Sequence, residues 1–253
     1  MISRSTDVKA AMRSRQRGFL LNPFRFVSGG GGGDSDPFFG NVTLLMHGDG
    51  EDGQTTTVDS SSYARVIGSA GAVRPTLSSI QKKFGPTSMQ FGGVGNSAFT
   101  VAASADTQFG TGDFTVECWI YPNSFSTSPW FISNRGGGDG GLGWYMATNA
   151  AGFLSWGWDG GAFGIGGLSV GVWQFLAVCR SAGVLYAFIG GVRAPSAPAH
   201  TVNYMAVARG MAIGRDNSSG NNLNGFIDDL RITKGVARYT ADFTPPAAPF
   251  PNS

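Results

Sequence analysis

Tryptophans with polar neighbours are the first residues in this sequence whose chemistry suggests a site. Trp156 and Trp158 are two residues apart, so both indoles lie on one face of a strand. Flat aromatic rings beside hydrogen-bonding side chains are typical of sites that stack on sugar rings. The candidates for such a site are Trp130, Asn134, Arg135, Trp144, Trp156 and Trp158, with Tyr145 and Asp159 nearby in sequence. The alternative is that the tryptophans fill the core of a β domain.

Candidates for acid–base catalysis or metal binding are few. The chain has only two glutamates, Glu51 and Glu117. Glu117 lies on a predicted strand, and Arg180, at the end of another predicted strand, could pair with it. A lone strand glutamate with an available arginine is typical of a structural ion pair, and no carboxylate dyad is recognisable. His47 and His200 stand beside no cysteine or second histidine, so a zinc site is unsupported.

The composition favours a glycine-rich β protein. The 253 residues include 40 Gly, 19 Phe, 6 Trp and 6 Tyr, whereas charged residues reach only 13%. Aromatic content this high argues against intrinsic disorder, and glycines without a three-residue period exclude collagen. No apolar run approaches the roughly 18 residues that a membrane-spanning helix needs. The two cysteines, Cys118 and Cys179, are too few for a disulfide framework, and we expect buried free thiols.

Short alternating segments separated by glycine predict many strands and no long helix in the main part of the chain. This texture is typical of an all-β sandwich. The predicted strands are Asn41–Met46, Ser88–Phe91, Phe99–Ala102, Asp113–Pro122, Trp144–Thr148, Phe153–Trp158, Trp173–Arg180, Val184–Ile189 and Leu223–Thr233. In the fourth of these, every second residue from Phe114 to Ile120 is predicted to face the core.

The N-terminal segment differs from the rest of the chain. Residues 1–28 carry six basic residues against one acidic residue, and the glycine run Gly29–Gly33 follows them. We therefore predict a basic arm over 1–28, a hinge over 29–37 and one domain over 38–253. The arm combines a predicted helix with an extended apolar strip, and a disordered tail is the alternative. Its candidate anchoring residues are Arg13, Arg15, Arg17, Phe19, Leu20, Phe24 and Phe26.

Five separated motifs occur in an order that resembles a known family. They are NVTLLMHGDG from Asn41 with DSS from Asp59, KFG from Lys83 with SMQF from Ser88, FGTGDFTVECWIYP from Phe109, Trp173–Arg180, and GFIDDLRITKGVARY from Gly225 with FTPP from Phe243. The chain from about Phe38 to Phe250 resembles the laminin-G-like, concanavalin-A-like family, in the form found in tailed-bacteriophage structural proteins. The resemblance implies a two-sheet antiparallel jelly-roll sandwich whose chain ends pair.

The same resemblance implies expectations about chemistry. Glucanases of this fold have a Glu-x-Asp-x-x-Glu strand, which this chain lacks, so we expect no catalytic activity. Relatives often hold one structural Ca²⁺ where the first and last strands meet, and the matching candidates are Asp49, Asp59 and Asp228. The alternative is that these aspartates cap turns and strand ends. No other cofactor is expected.

These observations together predict a non-catalytic virion protein, assembled in the bacterial cytoplasm, that displays a laminin-G-like binding domain. The expected partners of residues 1–28 are capsid or tail proteins, with several copies or a homo-oligomer on the particle. Glycans are the expected ligands if the loops bind, and neither nucleic acid nor a membrane span is expected. The alternative function is a carbohydrate-binding adhesin whose arm is incidental.

Overall fold

The structure is a computed structural model that describes residues 35–135, 143–204, 210–216 and 220–253. Within these ranges the chain forms fifteen strands and two short 3-10 turns. The strands are β1 (Val42–Met46), β2 (Ile67–Ala70), β3 (Thr76–Ser78), β4 (Ser88–Gly92), β5 (Ala98–Val101), β6 (Phe114–Ser124), β7 (Trp130–Ser133), β8 (Trp144–Thr148), β9 (Phe153–Trp158), β10 (Gly161–Gly167), β11 (Gln174–Ser181), β12 (Val184–Ile189), β13 (Val192–Arg193), β14 (Met211–Ile213) and β15 (Asn224–Lys234).

The strands form two antiparallel sheets that face each other as a sandwich. Sheet A has the order β13-β12-β11-β6-β15-β4-β3, and β1 also pairs with β15. Sheet B has the order β10-β9-β8-β7-β14-β5-β2. This architecture confirms the predicted all-β, two-sheet antiparallel class, and it agrees with a jelly-roll. No helix among the described residues is long and apolar enough to cross a membrane.

The core lies between the two sheets and follows from period-two alternation. On β6, Phe114, Val116, Cys118 and Ile120 all enter this core, as the sequence predicts. Sheet B contributes Trp144, Met146, Leu154 and Trp156 from β8 and β9. Since side chains on a strand alternate between faces, the residues between them point away from the core.

A third layer covers the outer face of sheet A. On β11, Leu176 and Val178 enter the inner core, whereas Phe175 and Ala177 join a second apolar cluster on the opposite face. Phe243 and Phe250 of the C-terminal segment pack edge-on against Phe175, with ring centroids 5.9 and 6.4 Å away. Both faces of sheet A are therefore buried around β6 and β11.

The two ends of the domain are held together by a buried ionic cluster. The backbone N–H of Asp36 donates to the Ser253 carbonyl at 2.6 Å. The Asp36 carboxylate accepts hydrogen bonds from Arg231 at 3.0 Å and from Arg238 at 2.6 Å. Asp36, within the predicted hinge 29–37, is therefore buried beside two guanidinium groups, whose positive charges its carboxylate balances.

Strands with regular apolar alternation were the predictable ones. Trp144–Thr148, Phe153–Trp158 and Val184–Ile189 are found with the predicted bounds, and the remaining predicted strands shift by one or two residues. Sequence reasoning missed β2, β3, β7, β10, β13 and β14. These strands have at most four residues, except β10, whose sequence GAFGIGG has four glycines among seven residues, and glycine is depleted in strands.

Candidate functional site

An exposed aromatic stack lies on the outer face of sheet B. Trp130 begins β7 and Tyr145 lies on β8, and their rings are parallel within 11° with centroids 4.0 Å apart. Both side chains are half-buried, and each points away from the core because its strand neighbours Phe131 and Trp144 point into it. The face of an indole or phenol ring carries partial negative charge and suits polarised C–H groups.

An ion pair stands beside the stack. Arg135 Nε donates to Asp159 Oδ1 at 2.6 Å, and the Arg135 side chain is 42% exposed. The guanidinium carbon lies 5.9 Å from the Trp130 ring centroid and 5.7 Å from that of Tyr145. The second Asp159 oxygen accepts from the Gly143 backbone at 3.2 Å, which fixes the carboxylate. The site therefore combines flat apolar rings with a hydrogen-bonding pair of no net charge.

A glycine on the neighbouring strand sets the position of Tyr145. Gly157 on β9 pairs with Tyr145, and a Cβ atom built at Gly157 would overlap the phenol ring. Only a residue without a side chain lets the ring lie across the strand. From the sequence, Tyr145 and Asp159 were predicted only to lie near the six candidate glycan-binding residues, and Gly157 was not identified. The available signal was alternation, which places Tyr145 on the face opposite Trp144.

The structure separates the six predicted glycan-binding residues. Trp130 and Arg135 lie in the exposed site. Trp144 and Trp156 are fully buried and stack on each other 4.8 Å apart, so neither ring is open to a sugar. Trp158 packs against the core and meets His200 edge-on at 4.4 Å.

The sixth candidate, Asn134, is buried. Its side-chain oxygen accepts a hydrogen bond from the Trp144 backbone at 2.8 Å, so this residue fixes the start of β8. Trp144 and Trp156 are core residues, which was the alternative to a sugar-binding role. The reason is register: these positions of β8 and β9 face sheet A.

Glu117 does not pair with Arg180, contrary to the sequence prediction. Glu117 is fully buried, accepts from Arg231 Nε at 2.8 Å, and also accepts from the Tyr239 hydroxyl at 2.9 Å. Arg180 instead donates to the carbonyls of Gly110, Gly112 and Val202 at 2.7 to 2.8 Å. Both carboxylate oxygens of Glu117 are therefore engaged in the ionic cluster that holds the domain ends.

A cluster of acidic residues lies where β1 ends beside the middle of β15. His47 Nδ1 is 2.5 Å from Asp229 Oδ1 and its Nε2 is 2.8 Å from the Asn252 side-chain oxygen. Burial lowers the His47 pKa, but the hydrogen bonds to Asp229 and Asn252 outweigh it and leave the pKa raised. Burial raises the Asp228 pKa to about 7, and the charges of Asp229 and Asp49 add to this effect.

The structure places Asp59, one of the three predicted calcium ligands, in a turn. The Asp59 carboxylate accepts from the backbone of Leu45, Ser61 and Arg65 at 2.9 to 3.0 Å, which is the turn-capping alternative. Within the part of the chain that the structure describes, no three His, Cys, Asp or Glu side chains are placed to hold a metal ion. Calcium therefore stays a prediction, and comparing melting temperatures in EDTA and in excess calcium tests it.

The remaining predicted residues are the two cysteines and the anchor candidates. Cys118 and Cys179 are buried free thiols, as expected, and burial raises the pKa of both. The anchor candidates Arg13, Arg15, Arg17, Phe19, Leu20, Phe24 and Phe26 lie outside the described residues.

Fold and site together define a class: an all-β sandwich of two antiparallel sheets with an exposed aromatic site on one outer face. Comparison with protein families identifies it further. The chain belongs to the concanavalin A-like lectin/glucanases superfamily, whose family model matches residues 94–238, more than half of the chain. No curated protein sequence matches the chain.

Solved structures with the same fold include an arabinanase domain and two toxin structures. Domain 4 of AbnA, a GH43 extracellular arabinanase from Geobacillus stearothermophilus solved with arabinotriose, matches with TM-score 0.58 and 16% identity over 78% of this chain and 94% of that one. A second structure was reported with the finding that cell entry of botulinum neurotoxin type C depends on interaction with two ganglioside molecules. It matches with TM-score 0.58 and 16% identity over 79% of this chain and 50% of that one. The binding domain of Paraclostridial Mosquitocidal Protein 1 matches with TM-score 0.57 and 15% identity over 79% of this chain and 51% of that one. This chain thus spans about half the length of the two toxin structures.

Proposed function

We propose that this chain is a non-catalytic carbohydrate-binding protein, displayed on a bacteriophage particle, whose sandwich binds glycans through the outer face of sheet B. The observation that carries the glycan site is the half-buried Trp130–Tyr145 stack on the outer face of sheet B, beside the Arg135–Asp159 pair. A sugar ring can stack its C–H face on the indole while its hydroxyls exchange hydrogen bonds with the carboxylate and the guanidinium.

The location of the site also supports this function. The outer face of sheet A is covered by the C-terminal segment, whereas Trp130 and Tyr145 on sheet B keep part of their surface exposed. Related folds bind such ligands: the arabinanase domain was solved with arabinotriose, and gangliosides are required by the type C neurotoxin. The sequence identity to these proteins is below 20%, so the likeness shows the fold alone.

A binding role rather than hydrolysis fits the carboxylates. Glu117 is buried under Arg231 and Tyr239, and a retaining glycosidase needs two carboxyl groups about 5 Å apart in an open cleft. Glu51, the second glutamate of the chain, is exposed on the loop after β1. Incubation with β-glucan or arabinan, followed by a reducing-end assay, tests this part, since product formation above the no-protein control overturns it.

The particle role rests on the N-terminal arm. Residues 1–28 concentrate six basic residues and an apolar strip ahead of the glycine run, and a segment that combines basic and apolar residues favours docking to a partner. A free adhesin, with the same glycan site and no particle, remains the second candidate because the structural neighbours are isolated binding modules.

Glycan binding is tested with the full-length protein on a glycan array, followed by calorimetry with the best ligand. Trp130→Ala should weaken binding by at least about tenfold, because it removes the stacking surface. Ile80→Ala is the matched control, since Ile80 is 73% exposed on a loop away from β7 and β8. Absence of any array ligand, or equal affinity of Trp130→Ala and wild type, contradicts the proposed site.

A further inference from the structure

The outer surface of β8, β9 and β10 forms an uncharged strip that continues from the aromatic stack. None of the described residues of these three strands is Asp, Glu, Lys, Arg or His. Their inward-facing partners Trp144, Met146, Leu154, Trp156, Phe163 and Ile165 belong to the core. The outward positions between Tyr145 and Phe153 hold only small residues, namely Ala147, Ser155, Gly157, Ala162 and Gly164.

Tyr145 and Phe153 are the aromatic residues at the two ends of this strip. Phe153 is 45% exposed, and a Cβ atom built at Gly164 on β10 would lie 2.8 Å from its ring carbon Cε1. Tyr145 lies against Gly157 of β9 in the same way. Each aromatic ring is therefore seated against a glycine of the next strand, which positions it across the sheet instead of leaving it free in solvent.

The spacing of the two rings sets the size of the ligand. The Tyr145 ring lies against Gly157, and the Phe153 ring lies against Gly164, which pairs with Ser155. These two contact points are two residues apart along the strands, about 7 Å, and one strand apart across the sheet, about 5 Å. A sugar ring stacked on one aromatic group therefore does not stack on the other, whereas a linear chain of two or more sugars can place a ring against each.

From this geometry we infer that the site takes an internal stretch of a linear, neutral polysaccharide, held at one end by Trp130 and Tyr145 and at the other by Phe153. The inference rests on the proposed glycan-binding function and specifies its ligand class. Neutrality follows from charge: the strip has no charged side chain, and the Arg135–Asp159 pair beside the stack is balanced. An anionic glycan would lose hydration there without meeting an unpaired cation.

The test is calorimetry of full-length protein with linear arabinan-, xylan- and β-glucan-derived oligosaccharides, from monosaccharide to hexasaccharide, with oligogalacturonides as the anionic series. Wild type should bind neutral tetrasaccharides at least about tenfold more tightly than the corresponding monosaccharide. Phe153→Ala should lose about three- to tenfold on the long ligands and nothing on the monosaccharide, whereas Trp130→Ala weakens both. Gly164→Ala, which pushes a methyl group against the Phe153 ring, should reproduce part of the Phe153→Ala effect. Ile80→Ala is the exposed control.

The outcomes separate this inference from the function on which it rests. If wild type binds a monosaccharide as tightly as the long ligands, or if Phe153→Ala behaves as wild type, the extended site is wrong and glycan binding stands. Preference for oligogalacturonides overturns the neutral class. Binding of no oligosaccharide, neutral or anionic, overturns both. Thermal melts confirm that each variant is folded, which is expected because Phe153 and Gly164 are exposed.

Discussion

The buried carboxylates of this protein have two kinds of environment. Asp36 and Glu117 are paired with Arg231 and Arg238, and although burial alone would raise the Asp36 pKa, the hydrogen bond and charge of Arg238 leave it lowered. Asp228 is equally buried, but it accepts only the backbone N–H groups of Lys83 and Phe84, at 2.7 and 3.1 Å. Burial of Asp228 outweighs these two backbone donors, the charges of Asp229 and Asp49 act in the same direction as burial, and the pKa of Asp228 rises to about 7.

This difference predicts a pH dependence of stability. A carboxyl whose folded pKa exceeds its unfolded value stabilises the fold below the unfolded pKa, and that contribution is lost as pH rises through the folded pKa. For Asp228 the loss falls between about pH 4 and 7, at no more than about 1.4 kcal/mol per pH unit. Asp228→Asn keeps an oxygen acceptor for the backbone and removes the titration.

The measurement is the free energy of unfolding in urea at several pH values, with EDTA present. Asp228→Asn should gain stability relative to wild type as pH rises from 4 to 7. The exposed Asp242→Asn serves as the control. A stability difference between Asp228→Asn and wild type that does not change with pH shows that Asp228 does not titrate in this range.

Among the elements, the C-terminal segment does most to distinguish the two sheet faces. It brings Phe243 within 5.1 Å of Phe188 on β12, between ring centroids, and it seats Phe250 under Arg231, whose guanidinium carbon lies 3.7 Å from the ring centroid. The Phe250 backbone N–H also donates to Asp229 at 2.8 Å. A segment without regular secondary structure thus closes sheet A, which leaves the outer face of sheet B for a ligand.

Phe250→Ala tests how much this third layer stabilises the fold. Phe250 is 4% exposed, so its truncation leaves a cavity and should cost about 3–5 kcal/mol of unfolding free energy. Phe153→Ala is the matched control, because Phe153 is 45% exposed and its removal should cost about 0.5 kcal/mol or less. Equal losses in the two variants, measured by urea unfolding, would mean that the segment does not seal the sheet.

At the scale of the whole molecule, the sandwich and the arm are proposed to do different work. Asp36 joins the ionic cluster, so the folded domain includes this residue, and a fragment beginning at Asp36 retains every described side chain of the cluster. The arm, residues 1–28, lies outside the described part of the chain and holds a third of its basic residues. We therefore propose that the arm attaches the protein to the particle and that the sandwich contacts the ligand.

Deletion of residues 1–28 should yield particles that lack this protein, while the free sandwich stays soluble and binds the same glycans. Phe24→Ala with Phe26→Ala should weaken attachment at all salt concentrations, because apolar burial is not screened. Replacing Arg13, Arg15 and Arg17 should weaken it mainly at low salt. Copy number on purified particles is the measurement, and a normal copy number for the deletion variant would assign attachment to the sandwich.

Sequence alone determined the all-β class, the positions of the regular strands and the inward face of β6, because alternation and glycine punctuation are local signals. It could not decide which tryptophans are exposed. Trp130, Trp144, Trp156 and Trp158 look alike in sequence, and only strand register and the packing of sheet B against sheet A place Trp144 and Trp156 in the core.

The tertiary structure also decided the charge pairing. Glu117 meets Arg231, 114 residues away in the chain, and Asp36 meets Arg238 across 202 residues. Alternation shows that a strand has two faces, but it carries no information on what each face meets. That choice depends on contacts between residues far apart in sequence, which exist only once both sheets and the C-terminal segment have assembled.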